Sequence, residues 1–409
     1  MINKDFFFNI IWSMSSHILS RGILLFSGML LARNLPVEDF AVYNFFLMTA
    51  TMISNYGSMG LDIAASRFFA EKKENQNHKI LGNLYSISFV LAMLSGIATF
   101  LFIDKIWPIN SYYKILISIT VLLLILNITP TGGVMGVEKY KDFFFLSIFN
   151  TIILLGGVAT TIKYKDISIQ IYAYIISILF LFFAQNYLLK KDTQVFKSLS
   201  NFKFEKNALK EISSFCGAMS LVSILASTAP WLLGKIILDN YNNLYFSVYS
   251  IGLQWFSLGM FIPGIISRLI LPRLVKQYNI DNQSKKEVKI TLLATLLISF
   301  MIFILGSLLS PQIMKWYGKE YTHFYEVIII FFLISVIYSP INVLGNLIII
   351  KSTAKMWLFI TLIWFVFLIL CTYPMMYSFG YMGVLYAQGI SAILFNIISY
   401  TFCRKKQLI

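Results

Sequence analysis

ITLLATLLISFMIFILGSLL, residues 290–309, runs without one charged side chain. A hydrocarbon core about 30 Å thick is crossed by about 20 helical residues, and inside it a chain can satisfy its backbone polar groups only as a helix or a closed barrel. A barrel strand would alternate apolar and polar residues at every second position; this stretch does not, so it reads as a membrane-spanning helix. Working outward, similar stretches fill the chain almost end to end, predicting helices at 6–33, 41–69, 79–103, 113–136, 142–162, 167–189, 209–238, 243–271, 289–309, 324–349, 355–377 and 381–402. The expected fold class is an all-α polytopic membrane protein of about twelve transmembrane helices.

Composition agrees: 58% of the 409 residues are hydrophobic and only 12% are charged, with a mean hydropathy of +0.75. The longest polar interval, Lys190 to Lys210, has no core of its own, so no soluble domain of ordinary size fits between the helices. The lack of a long loop or surface domain argues against an enzyme. Cys216, Cys371 and Cys403 are too scattered for a disulfide framework or a metal site. Met1 to Asp5 leads into a long span without a small-residue cleavage site, so the first helix is expected to stay as an uncleaved anchor.

The formal charge is +15, and its distribution explains it. Lysine and arginine crowd every second connector: Lys72, Lys73 and Lys79; Lys139 and Lys141; Lys190 through Lys210; Arg273 through Lys289; Lys351 and Lys355; and Arg404 to Lys406, together with Lys4. The intervening connectors hold far fewer. By the positive-inside rule the rich side is cytoplasmic and both termini lie there. The basic excess is a topology signal rather than a nucleic-acid footprint.

The two halves echo one another at an offset near 200 residues. Leu31-Ala32-Arg33 resembles Leu233-Gly234-Lys235, Ser66-Arg67 resembles Ser267-Arg268, and Pro130 matches Pro340 at a slightly larger offset. An even helix count in each half gives repeats of the same orientation. The expected organisation is an N-terminal six-helix lobe over 1–190, a cytoplasmic linker over 191–208 and a C-terminal lobe over 209–409, pseudo-symmetric around a central cavity. Polar residues recur at steps of three and four, which puts them on one face of a helix. They are Ser13, His17, Ser20 and Arg21 in the first helix; Thr51, Asn55, Ser58, Asp62 and Ser66 in the second; Gly217, Ser220, Ser223, Ser227, Trp231 and Lys235 in the seventh; and Ser335, Ser339, Asn342 and Asn346 in the tenth. The eighth adds Gln254, Ser257 and Arg268. For the serines, close helix packing is an alternative to cavity lining.

Arg21 stands about 22 Å along the first helix from its start, near mid-membrane. An arginine there costs at least about 2.5 kcal/mol, so it is expected to face water, an anion or a partner such as Asp62. A guanidinium also grips phosphate oxygens bidentately, which an ammonium does not. Arg67 and Arg268 lie nearer the cytoplasmic interface, where snorkelling competes with cavity lining, and Lys235 and Arg33 lie near the outer ends. Asp62 and His17 are the candidates for ion coupling, the first by exchanging a proton or binding Na⁺, the second by titrating near neutral pH. His78 and His323 fall in connectors. Trp231 and Trp255 sit on the polar-striped helices, where an indole face can stack on a sugar; most other aromatics are expected to be lipid-facing or interfacial.

Ser20-Arg21, Leu31-Ala32-Arg33-Asn34-Leu35, Asp39-Phe40-Ala41-Val42-Tyr43 and the block Gly57 to Glu71 resemble the opening two helices of polysaccharide exporters. These include the O-antigen (Wzx-type) flippases of the multidrug, oligosaccharidyl-lipid and polysaccharide (MOP) exporter superfamily. Gly136-Val137-Glu138-Lys139-Tyr140 and Leu271-Pro272-Arg273-Leu274 are similar to the same family at the same places. Two departures stand out: Ala41 replaces a usual glycine, and the first helix has one mid-membrane arginine where lipid II flippases usually carry a pair. The resemblance implies a MATE-like fold in the bacterial inner membrane. It also implies translocation of a polyprenyl-diphosphate oligosaccharide, the repeat unit of an O-antigen, capsule or similar surface glycan, to the outer leaflet.

In that reading Arg21, Arg67, Lys235 and Arg268 supply cations for the diphosphate, and Asn55, Ser58, Ser227, Trp231, Gln254, Trp255 and Asn342 line the cavity for the sugar. No cofactor is expected beyond a coupling ion, H⁺ or Na⁺. Partners would be the lipid-linked substrate, membrane lipid, and glycan polymerase and chain-length proteins, with no nucleic acid. Pro230, Pro263 and Pro340 are available as bends. A cation-coupled multidrug antiporter of the same superfamily would more often need acidic cavity residues, and a membrane-embedded polymerase would use a long outer loop; both remain alternatives.

Overall fold

The computed structural model describes the chain outside residues 1–3, 62–63, 67, 70–77, 108–109, 194–205 and 268–281. Side chains at 4–10, 17, 78–81, 191–193, 206–216, 218, 282–284 and 351 also lie outside the described set. The fold is all-α. Among the described residues these helices follow in order, with further helical residues within 61–69 and at 261–267: α1 (Lys4–Asn34), α2 (Val37–Ser58), α3 (His78–Phe102), α4 (Ser111–Gly136), α5 (Tyr140–Tyr164), α6 (Ile167–Thr193), α7 (Lys206–Asn240), α8 (Asn243–Gly259), α9 (Asn282–Tyr317), α10 (Tyr325–Lys351), α11 (Ala354–Phe379) and α12 (Tyr381–Lys405). Among the described residues, eleven helices are long and apolar enough to cross a membrane.

Short polar residues set several helix starts by accepting otherwise unpaired backbone N–H groups. The Asn110 side chain accepts from the Tyr112 N–H at 3.3 Å, Asn242 from those of Leu244 and Tyr245 at 3.0 and 3.2 Å, and Thr353 from that of Met356 at 3.1 Å. Helix α5 ends on left-handed Lys165 (φ +55°), and α11 ends on Gly380 (φ +61°, ψ −147°), a backbone region open essentially to glycine.

Two differences from the sequence expectation concern helix ends. Helix α9 runs on through Pro311 to Tyr317, where 310–323 reads as a polar connector. Pro311 does not end it: the Ser307 carbonyl left without the Pro311 N–H accepts from the Ser310 hydroxyl at 2.8 Å, the helix continues to Tyr317, and Gly318, with φ +128°, makes the turn. The second and eighth spans are each interrupted: α2 at Met59 and Gly60, α8 at Met260, with helical residues resuming at Leu61 and Phe261.

The chain falls into two compact units. One comprises Met1–Ser27 with Val42–Ser227, the other Gly28–Ala41 with Thr228–Ile409. Helices α1, α2 and α7 therefore contribute residues to both. Inside the first unit α3 packs on α4, α5 on α6, and α4 on α6; inside the second α9 packs on α10, α11 on α12, and α10 on α12. The same pairing scheme in both units is the structural form of the internal repeat. Among the candidate membrane spans of the described residues, α4 and α10, the fourth helix of each set, are the most buried.

Glycine lets these pairs close. A methyl at Gly157 of α5 would overlap the Ala173 side chain of α6, and one at Gly252 of α8 would overlap the Phe331 ring of α10.

Candidate functional site

Of the charged and polar residues singled out by spacing, the described ones sit on α1, α2, α7, α8 and α10, with Ser66 on the helical residues past α2. On α1, Ser16 and Ser20 donate to the carbonyls of Ser13 and Ser16, both at 2.8 Å, so these hydroxyls are spent on their own helix. Arg21 follows them with its side chain exposed, and beside it nothing lies within 4 Å of the Gly22 Cβ position. His17 lies in the helix, with its side chain outside the described residues, as are Asp62, Arg67 and Arg268 altogether.

In α2, Asn55 is half-buried and Ser58 is buried, with the Ser58 hydroxyl donating to the Asn55 carbonyl at 2.9 Å. In α7, Ser227 donates to the Ser223 carbonyl at 2.9 Å, and Trp231 is half-buried one turn on. Lys235 forms an ion pair with Asp239, one further turn along the helix. Its charge is compensated there.

In the second unit, Gln254 Oε1 accepts from the Tyr317 hydroxyl at 3.2 Å, and a Cβ at Gly28 would stand 2.9 Å from the same oxygen. The Trp255 ring lies 6.1 Å from that of Phe332, edge to face. Asn342 is half-buried on α10, and one turn on Asn346 Nδ2 donates to Ser267 Oγ at 2.9 Å. Ser335 and Ser339 are fully buried and donate to the carbonyls of Phe332 and Val336. They serve packing.

Tyr317 is the polar partner missed in the sequence, because it lies beyond the predicted end of the ninth helix. Its hydroxyl is the only signal, and it becomes visible only once the helix is extended. The bond is tested by a double-mutant cycle: Tyr317→Phe and Gln254→Leu are each expected to lower stability by about 1 kcal/mol, and the pair by less than the sum. Thermal unfolding in detergent micelles reads this directly.

The motifs that carry the family resemblance have structural work. Phe40 is fully buried with its ring 6.2 Å from that of Tyr321 in the second unit, while Tyr43, three residues on, is buried in the first unit against Gln170 and Tyr174. Lys139 Nζ donates to the Leu188 carbonyl at 2.9 Å, tying the α4–α5 turn to the end of α6 across left-handed Glu138 (φ +61°). Among the described residues no group of three or more His, Cys, Asp or Glu side chains is placed to hold a metal ion.

Residues 7–251 match the family model described as polysaccharide biosynthesis protein. No curated protein matches the chain. Among solved structures it is similar to an inward-facing multidrug resistance MATE family transporter of the MOP superfamily, with TM-score 0.74 and 15% identity over 95% of this chain and 94% of that one. It is likewise similar to an outward-facing transporter of the same description, with TM-score 0.72 and 16% identity over 97% and 93%. A third likeness is to a MATE protein in a straight conformation, with TM-score 0.70 and 15% identity over 97% and 94%. At these identities the likeness is one of fold.

Proposed function

The chain belongs to the polysaccharide biosynthesis protein family, and from that premise we propose that it is a flippase moving a polyprenyl-diphosphate-linked oligosaccharide from the cytoplasmic to the outer leaflet of the inner membrane. It is a multi-pass membrane protein with the MATE transporter fold of the MOP superfamily. The observation that carries the finer reading is the exposed Arg21, deep in an apolar span and beside open space at Gly22.

A diphosphate and its sugars do not cross hydrocarbon unaided, and a guanidinium offers two parallel N–H donors to a phosphate. Arg21 grips the diphosphate in this proposal, while Arg67 and Arg268 act nearer the cytoplasmic interface. Lys235 is the weakest of the four cations, since Asp239 already occupies it. Asn55, Ser58, Ser227, Trp231, Gln254, Trp255 and Asn342 offer hydroxyl, amide and indole surfaces to the sugar, and the polyprenyl tail stays in the bilayer. Alternating access then exposes the headgroup to one side at a time, with Asp62 or His17 coupling the cycle to H⁺ or Na⁺. In this reading both termini lie in the cytoplasm, on the side of the lysine-rich connectors. Glycan polymerase and chain-length proteins are the partners downstream.

The test is transbilayer movement in proteoliposomes. The purified chain is expected to expose a polyprenyl-diphosphate oligosaccharide to an external glycosidase faster than protein-free liposomes do, and to leave a cationic dye where it is. Gradient-driven movement of the dye without movement of the glycolipid overturns the reading in favour of a multidrug antiporter.

A further inference from the structure

Helices α2 and α8 hold the same place in their respective repeats, and both are interrupted at the same point along the repeat. In α2, Met59 (φ +45°) and Gly60 (φ +77°) are consecutively left-handed. Methionine pays about 1 kcal/mol for that conformation, so the surroundings hold it there. In α8 the interruption at Met260 has another cause: Pro263 has no N–H to give the carbonyl of Gly259. Two different local devices produce one break, about 200 residues apart.

Each break is bracketed by a glycine clamp on its N-terminal side. A methyl at Gly57 would overlap Ser95 of α3 and Ile125 of α4, and one at Gly259 would stand 2.9 Å from Ser335 Oγ of α10. Beyond the break the chain joins a separate packing group. In the first unit Leu61, Ala64, Ala65, Phe68 and Phe69 bury themselves with Leu84, Tyr85, Val134 and Leu189. That group is laced by its own polar bonds, Tyr85 Oη to Asn186 Oδ1 at 2.7 Å and Lys139 to the Leu188 carbonyl. In the second unit Ser267 is held by Asn346. The fourth helices carry a weakness too: Pro130 lies inside α4, followed by Gly132 and Gly133, and Pro340 lies inside α10.

We infer that each six-helix unit contains a hinge line crossing its second and fourth helices, at Met59–Gly60 and Pro130 in the first and at Met260–Pro263 and Pro340 in the second. The part of each unit beyond the breaks, nearer the lysine-rich connectors, swings as a block on the part before them. Opening on that side therefore includes bending within each unit, in addition to any motion of one unit as a whole. Helix breaks and prolines at one level of the second and fourth helices, with a packed cluster beyond the break in the first unit, are the ingredients of a hinge, which concentrates φ/ψ change in a few residues. A rigid unit would need none of them.

The test uses the full chain in liposomes with Cys216, Cys371 and Cys403 replaced by serine and spin labels on pairs of introduced cysteines. Thr51→Cys with Glu138→Cys spans the hinge line of the first unit; Thr51→Cys with Lys163→Cys stays on one side of it. The expected result is two populations, or a shift on adding a polyprenyl diphosphate, for the spanning pair and one unchanged narrow population for the other. The substitutions Met59→Ala with Gly60→Ala, which favour a continuous helix, are expected to collapse the spanning pair to a single population. A single narrow distance for the spanning pair in every condition, unmoved by those substitutions, overturns the inference and makes the breaks static kinks. Two populations in the absence of added lipid do not depend on what is transported, so failure of the flippase reading leaves a separate signature in the liposome assay.

Discussion

Arg21→Ala is expected to lower glycolipid movement by about 50-fold or more at equal folded incorporation, and Arg21→Lys to recover only a small part. Charge-assisted hydrogen bonds contribute about 1.5–3 kcal/mol each, and a guanidinium makes two to one phosphate where an ammonium acts as a point charge. The loss is expected in the rate of movement, and the unfolding temperature of each variant is recorded alongside so that a folding defect is scored separately. Lys163→Ala is the control: that lysine lies over the Tyr164 ring at the end of α5, and its removal should leave movement unchanged. Parent-like movement by Arg21→Ala takes the arginine out of the site, and parent-like movement by Arg21→Lys reduces its role to charge alone.

The largest stability effect is expected at Gly383. It sits in the first turn of α12, its N–H donating to the Gly380 carbonyl at 3.0 Å, and a methyl there would overlap the backbone carbonyl of Met375 in α11. Side chains can rotate away from a new methyl; a carbonyl inside a neighbouring helix cannot. Gly383→Ala must therefore push α11 and α12 apart along the hairpin that joins them, and the expected cost is about 3 kcal/mol or more, the upper end for overpacking. Gly389→Ala, two turns further along the same helix, meets only Ile334 at 3.7 Å and is expected to be nearly neutral. Unfolding temperatures of the two variants in the same detergent separate the outcomes, and equal temperatures would show that the hairpin can relax.

Much of the fold was legible because a bilayer reduces the choices to helix or barrel, and uncharged runs such as 290–309 decide between them. The repeat was legible as well, in Ser66-Arg67 and Ser267-Arg268, which lie just past the two breaks. The breaks themselves were not. Met59 carries no local signal for a left-handed conformation; tertiary packing of Gly57 and of the Leu61 to Phe69 segment imposes it. Pro263 was visible as a bend, but nothing in the sequence links it to Gly60. At the site, spacing placed the serines on shared faces without showing that Ser20, Ser227, Ser335 and Ser339 donate to their own helix carbonyls. Lys235 read as a free cation, since its pairing with Asp239 is a matter of rotamer.

On the face opposite the lysine-rich connectors, the described turns between helices are mostly very short: Leu35 and Pro36 join α1 to α2, Lys165 and Asp166 join α5 to α6, Tyr241 and Asn242 join α7 to α8, and Gly380 alone joins α11 to α12. A protease must draw several extended residues into its cleft, and such turns have none to give. That face is a poor substrate for limited proteolysis and a poor host for epitope tags, so sidedness is better mapped by single-cysteine labelling than by cutting or insertion.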